Sequence, residues 1–472
     1  MAGGALSTLA DLLAPATLDG HTWRGREETD DVVRRLAAGL IAVGVRPGDR
    51  VTWWLPNRWQ GVALYLACWQ VGAVAAPLHH RLSVQEAQAL VARIAPRAIF
   101  VAHDLPHLRG AAAIGGPHDA WPVLTARAPL AGPVAPAPDG LATLLATSGS
   151  DGRPKLVAHT HAALLAKAQS MTVVHGLGAA DTVLLPAPLA HISGLLNGVL
   201  LPAASGMRVV LVPRWDPGRA LSTIADEAVT FVVGPPTVGG QLLAVEVFSV
   251  AQVASVRLYS CGGAGVTAAF AERAAALLDC VVKRTYGSTE APTVTTSWVG
   301  DPVERGWHTD GRVTSGAQLR VDDAGELWLR GAELFARYWD DDSSLDGDGW
   351  FPTGDLAHLD GGWLTVTGRR KELIIRGGEN VSPREVETVC QSLPGISDCA
   401  VVGYPDEIYG ERVGLVVVGS TPTLDAVRAH CAAAGLARYK TPERVVGVAA
   451  MPTLTVGKPD RGALAEMLSA SA

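Results

Sequence analysis

The 472-residue chain lacks most features that mark disulfide-rich, metal-binding and nucleic-acid-binding proteins. Its six cysteines are scattered without a C-x-x-C pair, which excludes a recognisable disulfide or zinc framework and favours apolar core residues in a reducing compartment. The net charge is −7 and there is no basic stripe, so nucleic acid is not expected as a partner. The Walker pattern G-x-x-x-x-G-K-[ST] is absent, which excludes that type of phosphate loop.

Membrane and export signals are also scarce. The one candidate membrane span, residues 61–78, carries no charge but contains glycine, glutamine and proline, and we interpret it as a buried helix followed by a strand. The first residues show no basic segment before an apolar stretch, so no signal peptide is predicted. We therefore expect a cytoplasmic protein without a membrane partner.

Apolar residues make up 48% of the chain and charged residues 18%, which is typical of an ordered globular protein. A chain of this length is too long for a single hydrophobic core, and its length predicts roughly two to four packed units. Helical patterns alternate with short apolar strands from residue 27 to residue 285, which favours an α/β fold with parallel sheets covered on both faces. Antiparallel strands are predicted over 311–369, and a small α+β unit follows. We place the boundary at 369/370, which gives domains 1–369 and 370–472.

A run rich in glycine and hydroxyl groups follows the strand predicted at 141–146. It reads Thr147-Ser-Gly-Ser-Asp-Gly-Arg-Pro-Lys155, and the backbone N–H groups and hydroxyls of such a loop can wrap a polyphosphate. Taken alone, the run fits a surface turn equally well, because short glycine patterns often occur by chance.

A second motif closes the strand predicted at 281–285. Tyr286-Gly-Ser-Thr-Glu290 combines a ring that can lie on adenine with a hydroxyl and an acid able to hold Mg²⁺. Alone, this motif would favour an ordinary turn with a solvated glutamate. Upstream, Gly262-Gly-Ala-Gly265 allows a close backbone approach to an adenine edge. Its alternative reading, G-x-G-x-x-A over 263–268, would indicate the dinucleotide site of a dehydrogenase.

Taken in order with Gly354-Asp355, Gly368-Arg-Arg-Lys371 and Pro452-Thr-Leu-Thr-Val-Gly-Lys458, these motifs resemble the adenylate-forming superfamily, which includes acyl- and aryl-CoA synthetases. The resemblance covers nearly the whole chain. It implies a large N-terminal domain of parallel-sheet αβαβα subdomains with a small β-barrel-like subdomain, and a small mobile C-terminal α+β domain. The chain departs from the family pattern at Asp151, Leu156 and Thr453-Leu454, where threonine, glycine and Arg-Thr are usual.

The resemblance assigns nucleotide and metal roles to the N-terminal motifs. Glu290 is the expected Mg²⁺ ligand and joins Thr289 in the catalytic set, while Asp355 and Arg369 are expected at the ribose. The other residues expected to bind ATP are Thr147, Ser148, Gly149, Ser150, Gly152 and Lys155 at the phosphates, and Gly262, Gly263, Ala264, Tyr286 and Gly287 at the adenine.

The resemblance places the acid pocket around residues 188–194. His191 stands there where amino-acid-activating relatives carry an aspartate, and its imidazole can face a carboxylate and rotate away after adenylation. Thr285 occupies a place where glycine is common and would narrow the pocket floor, which favours a compact or flat acid. Arg284 is expected to point into the domain. The expected pocket residues are His191, Ser193, Asn197, Val233, Gly234, Thr285 and Ser288.

Two further histidines, His159 and His161, have no acid or cysteine spaced to complete a metal site with them. We interpret both as polar residues that open a helix.

The C-terminal motifs are expected to serve both half-reactions. Lys458 resembles the catalytic lysine that bridges carboxylate and α-phosphate, and Lys371 resembles the hinge on which the small domain rotates. A pantetheine tunnel is expected beside Gly377 and Gly378. Two tyrosines, Tyr409 and Tyr439, fall where CoA ligases stack on the CoA adenine, although tyrosines in a small domain are more often core residues.

These expectations imply activation of a small aryl or cyclic carboxylic acid as acyl-AMP, with ATP and Mg²⁺, followed by transfer to the thiol of CoA. One alternative acceptor is the phosphopantetheine of a carrier protein. Another is a different nucleophile of secondary metabolism, including nitrite-type activation. A non-catalytic nucleotide-binding relative is the alternative from another class. A monomer or homodimer is expected.

Lys458→Ala tests the assignment of the C-terminal lysine. A cation that contacts the reacting groups only in the adenylation transition state lowers that barrier alone, so adenylate formation should slow by about 10²- to 10³-fold. Thioester formation from supplied acyl-AMP should be largely preserved. Pyrophosphate release and thiol consumption measure the two steps separately, and equal losses in both would contradict the assignment.

Overall fold

The computed structural model describes residues 8–20, 22–134, 140–147, 154–263, 265–340, 345–454 and 459–470. The chain divides into two compact units, Met1–Gln318 with Arg330–Gly349 and Leu319–Leu329 with Trp350–Ala472. The domain boundary predicted at 369/370 lies inside the second unit and stays a prediction.

The α-helices in the described part of the chain are α1 (Arg26–Ala42), α2 (Trp59–Gln70), α3 (Val84–Ile94), α4 (Trp121–Thr125), α5 (His161–His175), α6 (Ile192–Leu195), α7 (Leu201–Ser205), α8 (Pro217–Asp226), α9 (Pro236–Leu243), α10 (Ala268–Leu278), α11 (Val303–His308), α12 (Pro383–Cys390), α13 (Leu424–Ala433) and α14 (Arg461–Ala470). A π-helical turn spans Leu196–Leu200, and 3₁₀ turns span Leu9–Asp11, Val250–Val253, Arg370–Glu372 and Arg438–Lys440.

The strands are β1 (Thr17–Asp19), β2 (Thr22–Arg24), β3 (Arg50–Trp54), β4 (Val74–Leu78), β5 (Ala98–Ala102), β6 (Ala112–Ile114), β7 (Leu141–Thr147), β8 (Lys155–Thr160), β9 (Thr182–Leu185), β10 (Arg208–Leu211), β11 (Phe231–Gly234), β12 (Leu258–Gly262), β13 (Val281–Tyr286), β14 (Thr295–Thr296), β15 (Arg312–Val313), β16 (Gln318–Val321), β17 (Glu326–Arg330), β18 (Arg337–Tyr338), β19 (Phe351–Asp360), β20 (Trp363–Arg369), β21 (Ile374–Arg376), β22 (Glu379–Val381), β23 (Ile396–Asp406), β24 (Gly410–Gly419) and β25 (Arg444–Val448).

One sheet of the first unit runs in the order β15-β14-β13-β12-β11-β9-β10-β1-β2, with parallel pairing from β13 to β1. Successive residues of a strand point to opposite faces. Leu184 therefore packs with α8, α9 and α10, while Val183 and Leu185 pack in the main core with α1, α2 and α5. Both faces of this sheet are buried, which explains its continuous apolar strands.

The second sheet of the first unit runs in the order β18-β8-β7-β4-β3-β5-β6. Trp53 faces the main core and Trp54 faces the cluster that contains Leu90 of α3. One helical layer therefore lies between the two sheets, and a further helical layer covers the outer face of each sheet. The expected αβαβα arrangement is confirmed.

The apolar run 61–78 forms α2 followed by β4, as predicted, and all of its residues are buried. No described helix is long and apolar enough to cross a membrane. The six cysteines are free thiols, and Cys68, Cys261, Cys390 and Cys431 are buried, as expected of apolar core residues.

In the second unit, β16, β17, β19 and β20 pair in that order. Among the described residues these strands form an open ladder and not a closed barrel, which corrects the barrel-like expectation for this region. The sequence pattern also missed β19, because Gly354-Asp355 suggests a turn and not the middle of a ten-residue strand. The remaining residues form the predicted α+β fold, in which α12 and α13 share one core cluster with β24 while α14 packs in another.

Candidate active site

The predicted adenine and pocket residues lie at the carboxyl ends of adjacent parallel strands. The register pairs Gly234 of β11 with Cys261 of β12, and Gly262 of β12 with Thr285 of β13. Tyr286 follows directly at the end of β13. Ligands of open α/β sheets bind outside the carboxyl ends of their strands, so this edge is the expected site of the nucleotide.

Gly262 and Thr285 fit closely together. A Cβ at residue 262 would lie 2.0 Å from Oγ1 of Thr285, so any larger residue at 262 would collide with it. Oγ1 of Thr285 lies 3.3 Å from the carbonyl oxygen of Cys261, to which it donates. Gly263 has a φ of +82°, and among the described residues nothing lies within 4 Å of its Cβ position. This open space beside the backbone fits the edge of a flat base. Ala264 lies outside the described residues.

The loop that follows Tyr286 is held by its own backbone. A Cβ at Gly287 would lie 2.4 Å from the backbone nitrogen of Thr293 and 2.8 Å from the carbonyl oxygen of Ala291. The backbone N–H of Ser288 donates to that Ala291 oxygen at 3.0 Å. Thr293 has a φ of +35°, a backbone conformation that a β-branched residue rarely adopts. Contacts from elsewhere in the chain also hold this loop at Thr293.

Lys167 of α5 supplies that support. Its Nζ donates to the carbonyl oxygen of Thr293 at 3.2 Å and lies 2.5 Å from the carboxylate of Glu333. The Lys167 side chain is 1% exposed and that of Glu333 is 9% exposed, so the ion pair is buried. Burial lowers the pKa of Lys167, and the Glu333 carboxylate opposes this shift. The sequence analysis did not identify this pair, because nothing in the local pattern distinguishes Lys167 from a surface lysine.

Glu290 is held by the segment 335–338. The backbone N–H of Phe335 donates to its carbonyl oxygen at 2.8 Å, and the hydroxyl of Tyr338 donates to its carboxylate Oε1 at 2.8 Å. A carboxylate can accept about four hydrogen bonds or metal contacts, so this bond leaves capacity for a hard cation. Mg²⁺ commonly takes one or two protein carboxylates together with substrate phosphates and water. The donor set of Glu290 and the Thr289 hydroxyl therefore fits Mg²⁺.

His159 differs from the expectation. It does not open a helix but lies in β8, fully buried, where its Nε2 donates to the carbonyl oxygen of Thr289 at 2.7 Å. Burial lowers the pKa of His159 to about 4, so the ring is neutral near pH 7. The histidine thus fixes the backbone beside the expected metal ligand. His161 does begin α5, as expected, but it is buried.

The phosphate-loop motif begins and ends on the hairpin β7–β8. Thr147 pairs with Lys155, and Arg93 of α3 donates to the carbonyl oxygen of Pro154 at 2.7 Å. Ser148, Gly149, Ser150, Asp151 and Gly152 lie outside the described residues. Leu156, where the family pattern has glycine, is buried in the core cluster around Trp54. This departure therefore adds to the core and not to the nucleotide edge.

The acid-pocket segment is anchored by Asn57. Its Oδ1 accepts from the backbone N–H of Leu189 at 2.8 Å, and its Nδ2 donates to the carbonyl oxygen of Ala187 at 2.9 Å. His191 caps α6, because its Nδ1 accepts from the backbone N–H of Ser193 at 3.2 Å. Asn197 lies one turn on, in the π-helical turn, and donates to the carbonyl oxygen of Ser193 at 2.9 Å. The predicted pocket residues on this segment are thus neighbours in space.

Arg284 points into the domain, as expected. Its Nη2 lies 2.9 Å from a carboxylate oxygen of Asp310, and its Nη1 donates to the carbonyl oxygen of Trp307 at 3.1 Å. Both members of the ion pair are buried. This arginine is therefore removed from the predicted acid pocket.

The second unit carries the residues expected at the ribose. Asp355 of β19 and Arg369 of β20 are directly paired in register, and Nε of Arg369 lies 2.6 Å from Oδ1 of Asp355. The backbone N–H of Asp355 donates to Oγ1 of Thr353 at 3.0 Å. The aspartate is buried, and the strand pairing fixes its position. Their contact with a ribose stays a prediction.

The other predicted residues of the second unit occupy turns. Lys371 lies in the 3₁₀ turn between β20 and β21. Gly377 is positioned by Tyr409, whose carbonyl oxygen accepts from its backbone N–H at 2.8 Å, and Gly378 follows with a φ of +89°. The guanidinium of Arg376 lies 4.3 Å from the ring centroid of Tyr409. Tyr439 packs against the core cluster of this unit. Lys458 lies outside the described residues.

Comparison with known proteins agrees with this geometry. The family model described as AMP-binding enzyme matches residues 12–339, and that for the AMP-binding enzyme C-terminal domain matches residues 385–458. The chain belongs to the AMP-binding enzyme family.

Relatives of this AMP-binding enzyme include the medium-chain fatty-acid–CoA ligase of Escherichia coli (strain K12), 31% identical over 91% of this chain and 83% of that protein. Feruloyl-CoA synthase of an Amycolatopsis species is 34% identical over 94% of each chain. The ATP-bound crystal structure of MatB from Rhodopseudomonas palustris is 25% identical, with a TM-score of 0.88 over 98% of each chain. The expected enzyme class, an AMP-forming ligase of the acyl-CoA synthetase type, is confirmed, and the dehydrogenase alternative finds no support.

Lys167→Met tests the support of the motif loop. The change leaves the carboxylate of Glu333 buried without its cation, which should lower the free energy of unfolding by roughly 3–5 kcal/mol. Adding Glu333→Gln should restore part of this loss, because the uncompensated charge disappears. Arg428→Met, which breaks an exposed ion pair with Asp425, is the control and should change stability by about 0–1 kcal/mol. Urea unfolding measures the free energy of unfolding of the three variants. Equal losses of stability in Lys167→Met and Arg428→Met would contradict the structural role of the buried Lys167–Glu333 pair.

Proposed function

We propose that this AMP-binding enzyme activates a small aryl or cyclic carboxylic acid with ATP and Mg²⁺, and transfers the acyl group to the thiol of CoA. The proposed substrate class rests on the side chain of Thr285, which lies against Gly262 at the carboxyl edge of the sheet. The carboxylate attacks the α-phosphorus and pyrophosphate leaves. The thiol then attacks the acyl carbon and AMP leaves.

Different residues bind the different parts of the reactants in the first step, the formation of acyl-AMP. The Tyr286 ring and the open backbone at Gly263 take the adenine, and Asp355 takes the ribose. Bound Mg²⁺ would neutralise charge on the polyphosphate, and Glu290 with Thr289 would hold it. Lys458 would supply the cation between carboxylate and α-phosphate.

His191 orients the acid. Since its Nδ1 accepts the backbone N–H of Ser193, the proton of the neutral ring lies on Nε2, which can donate to a substrate carboxylate. The capping bond and the substrate contact use different nitrogens, so both roles are compatible. Release of the cap would let the ring turn away after adenylation.

One argument supports a compact or flat acid. Thr285 adds side-chain volume at a place where the family commonly has glycine, and it lies opposite Gly262 on the adjacent strand. The two relatives named above act on very different acids at nearly equal identity, so overall similarity does not choose between a fatty and an aryl acid. The choice rests on the shape of the pocket floor.

CoA is the favoured acceptor because the curated relatives named above are CoA enzymes. In the second unit, the turn of Gly377 and Gly378 beside Tyr409 is the proposed thiol-side surface. A carrier-protein phosphopantetheine presents the same thiol, and substituting it for CoA in the second step distinguishes the two acceptors.

Thr285→Gly tests the substrate class. Pyrophosphate release across aryl, alicyclic and straight-chain acids should show wild type preferring an aryl or cyclic acid. The variant should shift the ratio of kcat/KM toward longer chains by about 10-fold, the scale on which apolar pockets discriminate by size. Val247→Ala on the exposed surface of the same unit is the control and should leave the ratio unchanged. A wild-type preference for long straight chains would contradict the proposal.

Lys371→Pro tests the hinge. Proline fixes φ at the value typical of a 3₁₀ turn, so it should fit the turn 370–372 and resist rotation away from it. Adenylation should survive while thioester formation falls strongly. Lys371→Ala, which removes the same charge without fixing φ, is the control and should retain both steps. A proline variant with both steps intact would place the hinge elsewhere.

A further inference from the structure

Tyr338 connects two parts of the site that are far apart in sequence. It lies in β18, which pairs with β8 so that Tyr338 is opposite Val157. The backbone N–H groups of Ala336 and Trp339 donate to the carbonyl oxygens of Ala158 and Leu156 at 2.8 and 2.7 Å. The tyrosine is buried, and this pairing fixes its ring beside the end of the phosphate-loop hairpin.

The hydroxyl of Tyr338 reaches the expected metal ligand. It donates to Oε1 of Glu290 at 2.8 Å, while Phe335 of the same segment binds the Glu290 backbone. Both ends of the glutamate are therefore held by one short segment. A fixed carboxylate binds a metal better than a mobile one, because the side chain loses less freedom on binding.

The ring of Tyr338 contacts the phosphate-loop lysine. Nζ of Lys155 lies 4.3 Å from the ring centroid, within the range of a cation–π contact. The same side chain therefore contacts both charged groups, Lys155 through its ring and Glu290 through its hydroxyl. Each charge remains able to meet its own ligand, the polyphosphate for Lys155 and Mg²⁺ for Glu290.

We propose that Tyr338 is a positioning residue with two separable actions: its hydroxyl orients Glu290 for Mg²⁺, and its ring holds Lys155 toward the nucleotide phosphates. This inference rests on the proposed nucleotide and metal roles of Lys155 and Glu290. Phenylalanine at 338 would keep the ring and remove only the hydroxyl, whereas leucine would remove both.

The test measures binding of a non-hydrolysable α,β-methylene analogue of ATP by calorimetry over a series of Mg²⁺ concentrations. Tyr338→Phe should raise the Mg²⁺ concentration needed for half-maximal tight binding by about 10-fold, the scale of one hydrogen bond to a charged group. Its affinity for the analogue without Mg²⁺ should match wild type. Tyr338→Leu should weaken binding without Mg²⁺ as well, by roughly 2- to 5-fold, because the cation–π contact is lost.

Two comparisons make the outcome decisive. Glu290→Gln should remove most of the Mg²⁺ dependence, and Tyr404→Phe, which removes a phenol hydroxyl in the second unit, should match wild type throughout. The same Mg²⁺ dependence in wild type and Tyr338→Phe would overturn the hydroxyl's role. Equal binding by the phenylalanine and leucine variants without Mg²⁺ would overturn the ring's role.

A wild type that does not bind the analogue even with Mg²⁺ would overturn the proposed function and this inference together. If the leucine variant does not fold, Tyr338→Phe still decides the hydroxyl's role, and Tyr338→Met, which fills much of the same space without an aromatic face, takes the place of leucine for the ring.

Discussion

Pairing between β12 and β13 brings Gly262 directly opposite Thr285, and the predicted nucleotide edge of the sheet depends on this register. A slip of one residue would turn every side chain of the strand to the opposite face. Thr285 would then leave the predicted pocket floor, and Tyr286 would no longer lie beside the open backbone at Gly263. The buried apolar residues on both faces of these strands hold the register, because a slip would expose or misplace all of them.

Around this edge, the site is supported by residues distant in sequence. Lys167 and Glu333 form a buried ion pair under the strained Thr293, and Tyr338 holds the carboxylate of Glu290. Breaking a buried pair is costly because it leaves an unpaired charge in a poorly solvated place. The segment 333–338 therefore holds Lys167 and Glu290 in place. Its strand β18 pairs with β8, which belongs to the hairpin of the predicted phosphate loop.

The expected hinge in the second unit has a different character. Lys371 is flanked by Arg370, which pairs with Glu326 at 2.8 Å, and by Glu372, which pairs with Arg461 at 3.3 Å. These pairs are partly exposed, and such pairs contribute little to stability. Breaking them would require little free energy, which suits a segment proposed to rotate between half-reactions. Strong interactions thus surround the predicted nucleotide edge of the first unit, and weak ones surround the proposed hinge.

The sequence by itself determined the αβαβα layers, the helix and strand of residues 61–78, the inward direction of Arg284 and the enzyme family. The helix and strand of residues 61–78 follow from local periodicity. The layers, the direction of Arg284 and the family follow from the ordered motifs and the resemblance that they carry. Only the tertiary structure decided the burial of His159 against Thr289, the open ladder that includes β19, and the parts played by Lys167, Asn57 and Tyr338. Three of these contacts, His159 with Thr289, Lys167 with Glu333 and Asn57 with Leu189, join residues more than a hundred positions apart. A one-dimensional pattern carries no signal for so distant a partner.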